Sequence, residues 1–166
     1  FDIAQRTQAG WDALGTYGAV GGTQGYGNGA IGFSVCKDPR DECVYVTGAV
    51  GKTRKLTPAG VGPGGTWSDF ATQPVSLNSG AEAATAIDTT RNRCLWIGGF
   101  TESNPKQPYF LDLATATWSI QTYAASAEKA NVEALKIAPG MIYDPVTDKF
   151  LLKPREGGKV IVVDPV

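Results

Sequence analysis

Apolar positions in this chain fall in short alternating runs rather than in stripes of helical period. Three segments share one pattern: VCKDPRDECVYVTGA (35–49), AIDTTRNRCLWIGGF (86–100) and IYDPVTDKFLLKPRE (142–156). Each sets a short apolar strand before a polar turn and a second apolar strand after it, the signature of a β-hairpin. The runs are rich in Val, Ile, Tyr, Phe and Trp, which suit a pleated, half-buried surface. Only SAEKANVEAL (126–135) has helical propensity, with Ser126 predicted as its N-cap and Glu128 in its first turn.

The hairpins recur at a fixed spacing. Cys43 to Cys94, Gly48 to Gly99 and Trp67 to Trp118 are each 51 residues. A shared offset of that size marks a repeat architecture. Asp88 to Asp144 is 56, so the third copy follows a longer connection. A second marker, PYFLDLATATW (108–118), reads as a strand, an Asp-led turn and a tryptophan opening the next strand. GGKVIVVDPV (157–166) matches its first half, with Asp164 in the place of Asp112. FDIAQRTQAGW (1–11) matches its second half, with Asp2 and Trp11 in the places of Asp112 and Trp118.

These patterns predict an all-β fold, a β-propeller of four-stranded antiparallel blades, with three blade equivalents in one unit over 1–166. A single blade exposes both faces of its sheet, so blades stack in a ring. Blade one (30–70) has strands a to d at 30–36, 42–48, 53–57 and 66–70. Blade two (84–121) has them at 84–88, 93–98, 108–113 and 117–121. Blade three (140–166) has 140–143, 149–152 and 159–163 and lacks its outer strand. Residues 1–14 are the closing segment, and 11–14 are predicted to lie beside 159–163 of the same chain or another.

Gly98-Gly99 followed by LDLATATW, with Gly157-Gly158 followed by VIVVDP as a partial echo, resembles the kelch family of propellers, which includes the galactose-oxidase type. Thr47-Gly48 and Pro154-Arg155 stand where two further double glycines belong in that pattern. The resemblance implies a closed ring of blades. It does not extend to the oxidase site, which needs histidine ligands. The repeated markers read as scaffold. The glycines let the chain bend, the tryptophans cover area between blades, and the aspartates hold turns.

Composition narrows the chemistry. The chain has 166 residues, 42% of them hydrophobic, with a net charge of −1. Its one basic cluster is Lys52-Thr-Arg54-Lys55, so nucleic acid is not an expected partner. No apolar run approaches the roughly 20 residues of a membrane helix, and no membrane partner is expected. There are no histidines, which removes Ser-His-Asp and Cys-His catalysis and the usual zinc and copper sites. No cofactor and no metal are expected. Cys36 and Cys43 flank a hairpin turn, either bonded across it or, preferably, free and half-buried, with Cys94 left over in both cases.

Three motifs receive structural readings. TGAVGKT (47–53) lacks the spacing and following helix of a P-loop. Ser126-Ala-Glu-Lys129 fits S-x-x-K but lacks its companion motifs. GPGGTW (62–67) ends like an Asp-box, itself a structural turn. The remaining candidates lie in connections. The d–a and b–c connections share one propeller face, and adaptable Tyr and Asn side chains there suit binding. On that face the expected ligand-binding residues are Tyr26, Asn28, Glu82, Glu102, Asn104 and Arg155. With no nucleophile constellation, the expected function is a non-catalytic binding or structural module that meets a protein or glycan. The alternative is a carbohydrate-active enzyme using Glu82, Glu102, Glu128 or Glu156. Ring closure is expected from a second copy, as a dimer completing six blades, or from the remainder of a longer chain, of which this would be a fragment. A first residue Phe1 implies a processed, trimmed or excised chain, and the Thr, Ser, Gly and Ala content leans towards a secreted or virion-surface protein.

Overall fold

The computed structural model describes residues 34–47, 52–59, 65–74, 83–97, 106–135, 140–154 and 158–165. Three antiparallel sheets follow one another along the chain. The first holds β1 (Ser34–Lys37), β2 (Val44–Thr47), β3 (Lys52–Pro58) and β4 (Gly65–Thr72). The second holds β5 (Ala84–Asp88), β6 (Arg93–Ile97), β7 (Pro108–Asp112) and β8 (Thr117–Ile120). A helix, α1 (Ser126–Glu133), leads to the third, which holds β9 (Gly140–Asp144), β10 (Lys149–Lys153) and β11 (Ile161–Val163). Within each sheet the strands are ordered as they occur in sequence. The first strands β1, β5 and β9 pack beside one another, and β4 lies beside β8. These are β-propeller blades, with strand a innermost. The predicted strand at 11–14 lies outside the described residues.

Alternation along the strands builds the two blade junctions. Cys36, Tyr45 and Ala71 of the first sheet bury against Ile87, Cys94 and Leu111 of the second. The opposite face of the second sheet presents Ala84, Ala86, Leu95, Ile97 and Phe110 to Phe150, Leu152 and Val163 of the third. Trp118 packs at the edges of this core, as the repeat predicts. At Gly65 a Cβ would come within 2.7 Å of Leu56 Cδ1 and 2.8 Å of the Thr57 carbonyl, so this start of β4 accepts only glycine without a shift.

One turn is used four times. Asp38, Asp88, Asp112 and Asp144 each accept a backbone N–H two residues on, and Asp88 and Asp112 accept a second three residues on. Four residues after each aspartate, Glu42, Asn92, Ala116 and Asp148 take positive φ, between 53° and 62°. The predicted turn role of the aspartates therefore has a common backbone basis.

Two of these turns also latch neighbouring blades. Arg40 donates to Asn92 Oδ1 at 2.6 Å in the next blade. Arg91 donates to both carboxylate oxygens of Asp148 at 2.7 Å, again one blade on. The Arg91 guanidinium and the Tyr143 hydroxyl hold the Asp148 carboxyl well below the usual carboxylate range. In blade three Val146, 90% exposed, stands where Arg40 does in blade one, and Thr147 stands where Arg91 does in blade two.

The structure revises two sequence expectations. Ser126 is the first helical residue rather than the N-cap. The cap is Ala125, in extended conformation and without a side-chain bond. Cys36 pairs in register with Tyr45, not Cys43, and its sulfur neighbour is Cys94 at 3.2 Å. All three thiols are free and buried rather than half-buried.

Candidate functional site at one end of the blades

The register Ala84↔Ile97↔Pro108 aligns the start of β5, the end of β6 and the start of β7 at one end of the second sheet. The d–a and b–c connections leave from that end. There the structure forms a cleft of ≈ 360 Å³, bounded by Lys106, Gln107, Gln121, Tyr123, Ser126 and Lys129. One wall is the end of the b–c connection, and the other is the d–a connection with α1.

Hydrogen bonds tie the walls together. The Lys106 ammonium donates to the Glu133 carbonyl at 2.7 Å, satisfying a terminal acceptor of α1. The Tyr123 hydroxyl donates to the Lys106 carbonyl. Burial lowers the proton affinity of the Lys106 amine, with Glu133 opposing the shift. Burial and the nearby Glu128 and Glu133 carboxylates push the Tyr123 hydroxyl well above its usual value. The Lys106 ammonium and Tyr123 hydroxyl are thus spent on holding the walls together, and the Gln107 and Gln121 side chains line the cleft beside them. Among the described residues no group of three His, Cys, Asp or Glu side chains is placed to hold a metal ion.

Behind the cleft, Glu128 pins α1 to the third sheet. It is 8% exposed, it accepts the Asp164 backbone N–H, and its Oε1 has no partner. Burial raises its pKa, the Asp164 carboxylate adds to this, and Lys149 opposes it. A carboxyl whose folded-state pKa is raised costs stability once pH rises through that value, and the cost vanishes below the unfolded value of about 4.3. Glu128→Gln keeps a carbonyl acceptor and removes the charge. It is expected to raise stability near pH 7 by about 1 kcal/mol, with the gain fading towards pH 4. Urea unfolding at both pH values checks this, and a variant less stable at pH 7 would refute it.

All six predicted ligand-binding residues, Tyr26, Asn28, Glu82, Glu102, Asn104 and Arg155, lie outside the described residues, as does Glu156. Their flanking positions are described. Ala83 leads into β5, Lys106 into β7, and Pro154 follows β10, so the connections carrying Glu82, Glu102, Asn104 and Arg155 leave from the cleft end of the blades. Ser126 and Lys129 of the S-x-x-K match line the cleft, with Lys129 turned to Glu133 at 3.9 Å. The P-loop-like stretch leads into strand β3, not a helix. Sequence reasoning missed Gln107, Gln121 and Tyr123. Their only signal was position, directly outside strands c and d, where the Tyr109↔Ile120 register brings those ends together.

No family model and no curated protein sequence matches the chain. Solved structures do. A structural genomics protein of unknown function from Bacteroides thetaiotaomicron aligns at a TM-score of 0.54 and 14% identity, over 79% of this chain and 30% of that one. The β-propeller domain of Cps50 (Swd1) from Myceliophteria thermophila aligns at 0.51 and 11% identity, over 80% of this chain and 38% of that one. The chain therefore spans about a third of the length of the structures it matches. With three consecutive antiparallel sheets packed through their first strands, the likeness to a propeller domain defines the class of fold.

Proposed function

We propose that the chain is a kelch-like, non-catalytic propeller module that completes its ring with a second copy and presents its b–c and d–a face to a protein or glycan. One observation carries the association. The outward face of the third sheet bears the cross-strand row Ile142–Leu151–Val162, with Ile142 62% and Val162 50% exposed. The faces at the other two junctions are buried. An apolar sheet face of this kind is a surface for a further blade. Val35, 50% exposed on β1, supplies an apolar position on the opposite terminal blade. In a two-fold dimer the third blade of each copy meets the first blade of the other, and residues 11–14 add to the β11 edge as the outer strand.

The experiment is size-exclusion chromatography with light scattering. The expected mass is twice the 17.5 kDa of one chain. The pair Ile142→Glu and Val162→Glu is expected to weaken association at least about a hundredfold, and removal of residues 1–14 to abolish it. A stable monomer would overturn the dimer. That monomer is what a second reading expects, in which further blades of a longer polypeptide cover this face. The 30% and 38% coverage of the matched structures favours that reading.

For the ligand, a glycan array paired with a hydrolysis assay is expected to give binding without turnover. Turnover lost in Glu82→Gln or Glu102→Gln would establish a carbohydrate-active enzyme instead. Of the four loop carboxylates weighed for that chemistry, Glu128 alone is described, and it is buried against the third sheet.

A further inference from the structure

Cys36 on β1 and Cys94 on β6 belong to different blades and stand 58 residues apart in sequence. Their sulfurs are 3.2 Å apart, only about 1 Å beyond a disulfide bond. Both lie inside the apolar junction of blades one and two, with Tyr45, Ala71, Ile87 and Leu111 around them. Cys43 shares the junction but occupies the a–b turn, and its thiol is turned to Asp41 and Thr57.

We propose that Cys36 and Cys94 are a disulfide site that staples blade one to blade two when the chain folds with a small-molecule disulfide as oxidant. The chemistry is two exchange steps. One cysteine thiolate attacks the oxidant, forms a mixed disulfide and expels one oxidant thiolate. The second cysteine thiolate attacks the protein sulfur of that mixed disulfide and expels the other. Two protein thiols lose two hydrogens and two electrons, and the oxidant becomes two thiols. The exchange belongs to the folding chain, as the two blades come together and before the junction closes over the sulfurs. Once they pack, both thiols are buried, and the neighbouring Cys36 sulfur together with burial holds the Cys94 thiol protonated, which removes the attacking thiolate.

The link adds a covalent tie between sheets that, among the described residues, meet through side-chain packing and the Arg40 bonds to Asn92 and the Thr89 carbonyl. It closes a long loop and so restricts the unfolded chain strongly. A reduced chain and an oxidised chain therefore share one fold but differ in resistance to unfolding.

The test refolds the denatured, reduced full chain in buffer containing oxidised glutathione, then blocks free thiols and maps the peptides. The expected product carries a Cys36–Cys94 cross-link and a single blocked thiol at Cys43. It unfolds at higher urea than the same protein after reduction. Cys43→Ser leaves the pair intact and is expected to give the same cross-link, whereas Cys94→Ser is expected to give none. Treated while native and reduced, the protein is expected to oxidise far more slowly than during refolding. Three blocked thiols after refolding, or cross-links running chiefly through Cys43, would overturn the proposal. The Cys43→Ser result keeps the question answerable even if Cys94→Ser does not fold.

Discussion

Phe150→Ala is expected to lower the unfolding free energy by about 3–5 kcal/mol. The ring is fully buried at the centre of the second junction. It sits 5.1 Å from Tyr143 in its own sheet and 6.2 Å from Phe110 across the junction. Ala84 and Ala86 of β5 belong to the same cluster, and their small side chains leave the room that the ring fills. The cavity left by alanine has sheet backbone on both sides, so little can collapse into it, and the cost belongs at the upper end for such a truncation. Against a usual stability of about 5–15 kcal/mol for a domain, this is a large fraction. Urea titration measures it, with an unchanged slope showing that the unfolded state is not altered. Val146→Ala, at a position 90% exposed, is the control and is expected to change stability by less than about 0.5 kcal/mol. A Phe150→Ala loss below about 1 kcal/mol would mean that the second and third sheets do not pack as described.

Strand positions were legible because each strand carries its own signal. The stretch predicted at 84–88 is β5 (Ala84–Asp88), and those at 93–98 and 117–121 are β6 and β8 to within a residue. Alternation and an Asp-led turn are local properties, and local bonding enforces both. Apart from the tryptophan marker at Trp118, the contacts between blades left no such trace. Cys94 lies 58 residues from Cys36, and nothing near either cysteine distinguishes that partner from Cys43, seven residues away across the hairpin. Arg40 and Arg91 read as ordinary turn residues, yet each reaches into the next blade. The site was legible only as a face. Strand order dictates which connections share an end of the blades, whereas the pairing of Lys106 with the α1 terminus depends on the path of a connection that has no burial period.

Asp88→Ala is expected to cost about 3–5 kcal/mol, the range for removing one partner of a buried ion pair. Asp88 is fully buried and holds four donors. Its Oδ1 accepts the backbone N–H groups of Thr90 at 3.1 Å and Arg91 at 2.9 Å. Its Oδ2 accepts Arg91 Nη1 at 3.2 Å and Arg93 Nε at 3.1 Å. Alanine removes the acceptor for all four. Arg91 keeps Asp148, but Arg93 is left largely buried over the Phe110 ring, 3.7 Å from its centroid, without its carboxylate. Asp88→Asn separates the two contributions. Its amide oxygen preserves the turn bonds while the charge is lost, so it is expected to fall between the wild type and alanine. Lys149→Ala removes the exposed pair with Asp164 and is expected to cost no more than about 1 kcal/mol. The double mutant Asp88→Ala with Asp148→Ala, two carboxylates that bond the same Arg91, tests whether turn and latch act together. If Asp88 orients Arg91 towards Asp148, the two losses fall short of additive by about 0.5 kcal/mol or more. Full additivity would mean that the inter-blade latch forms whether or not the turn beneath it is held.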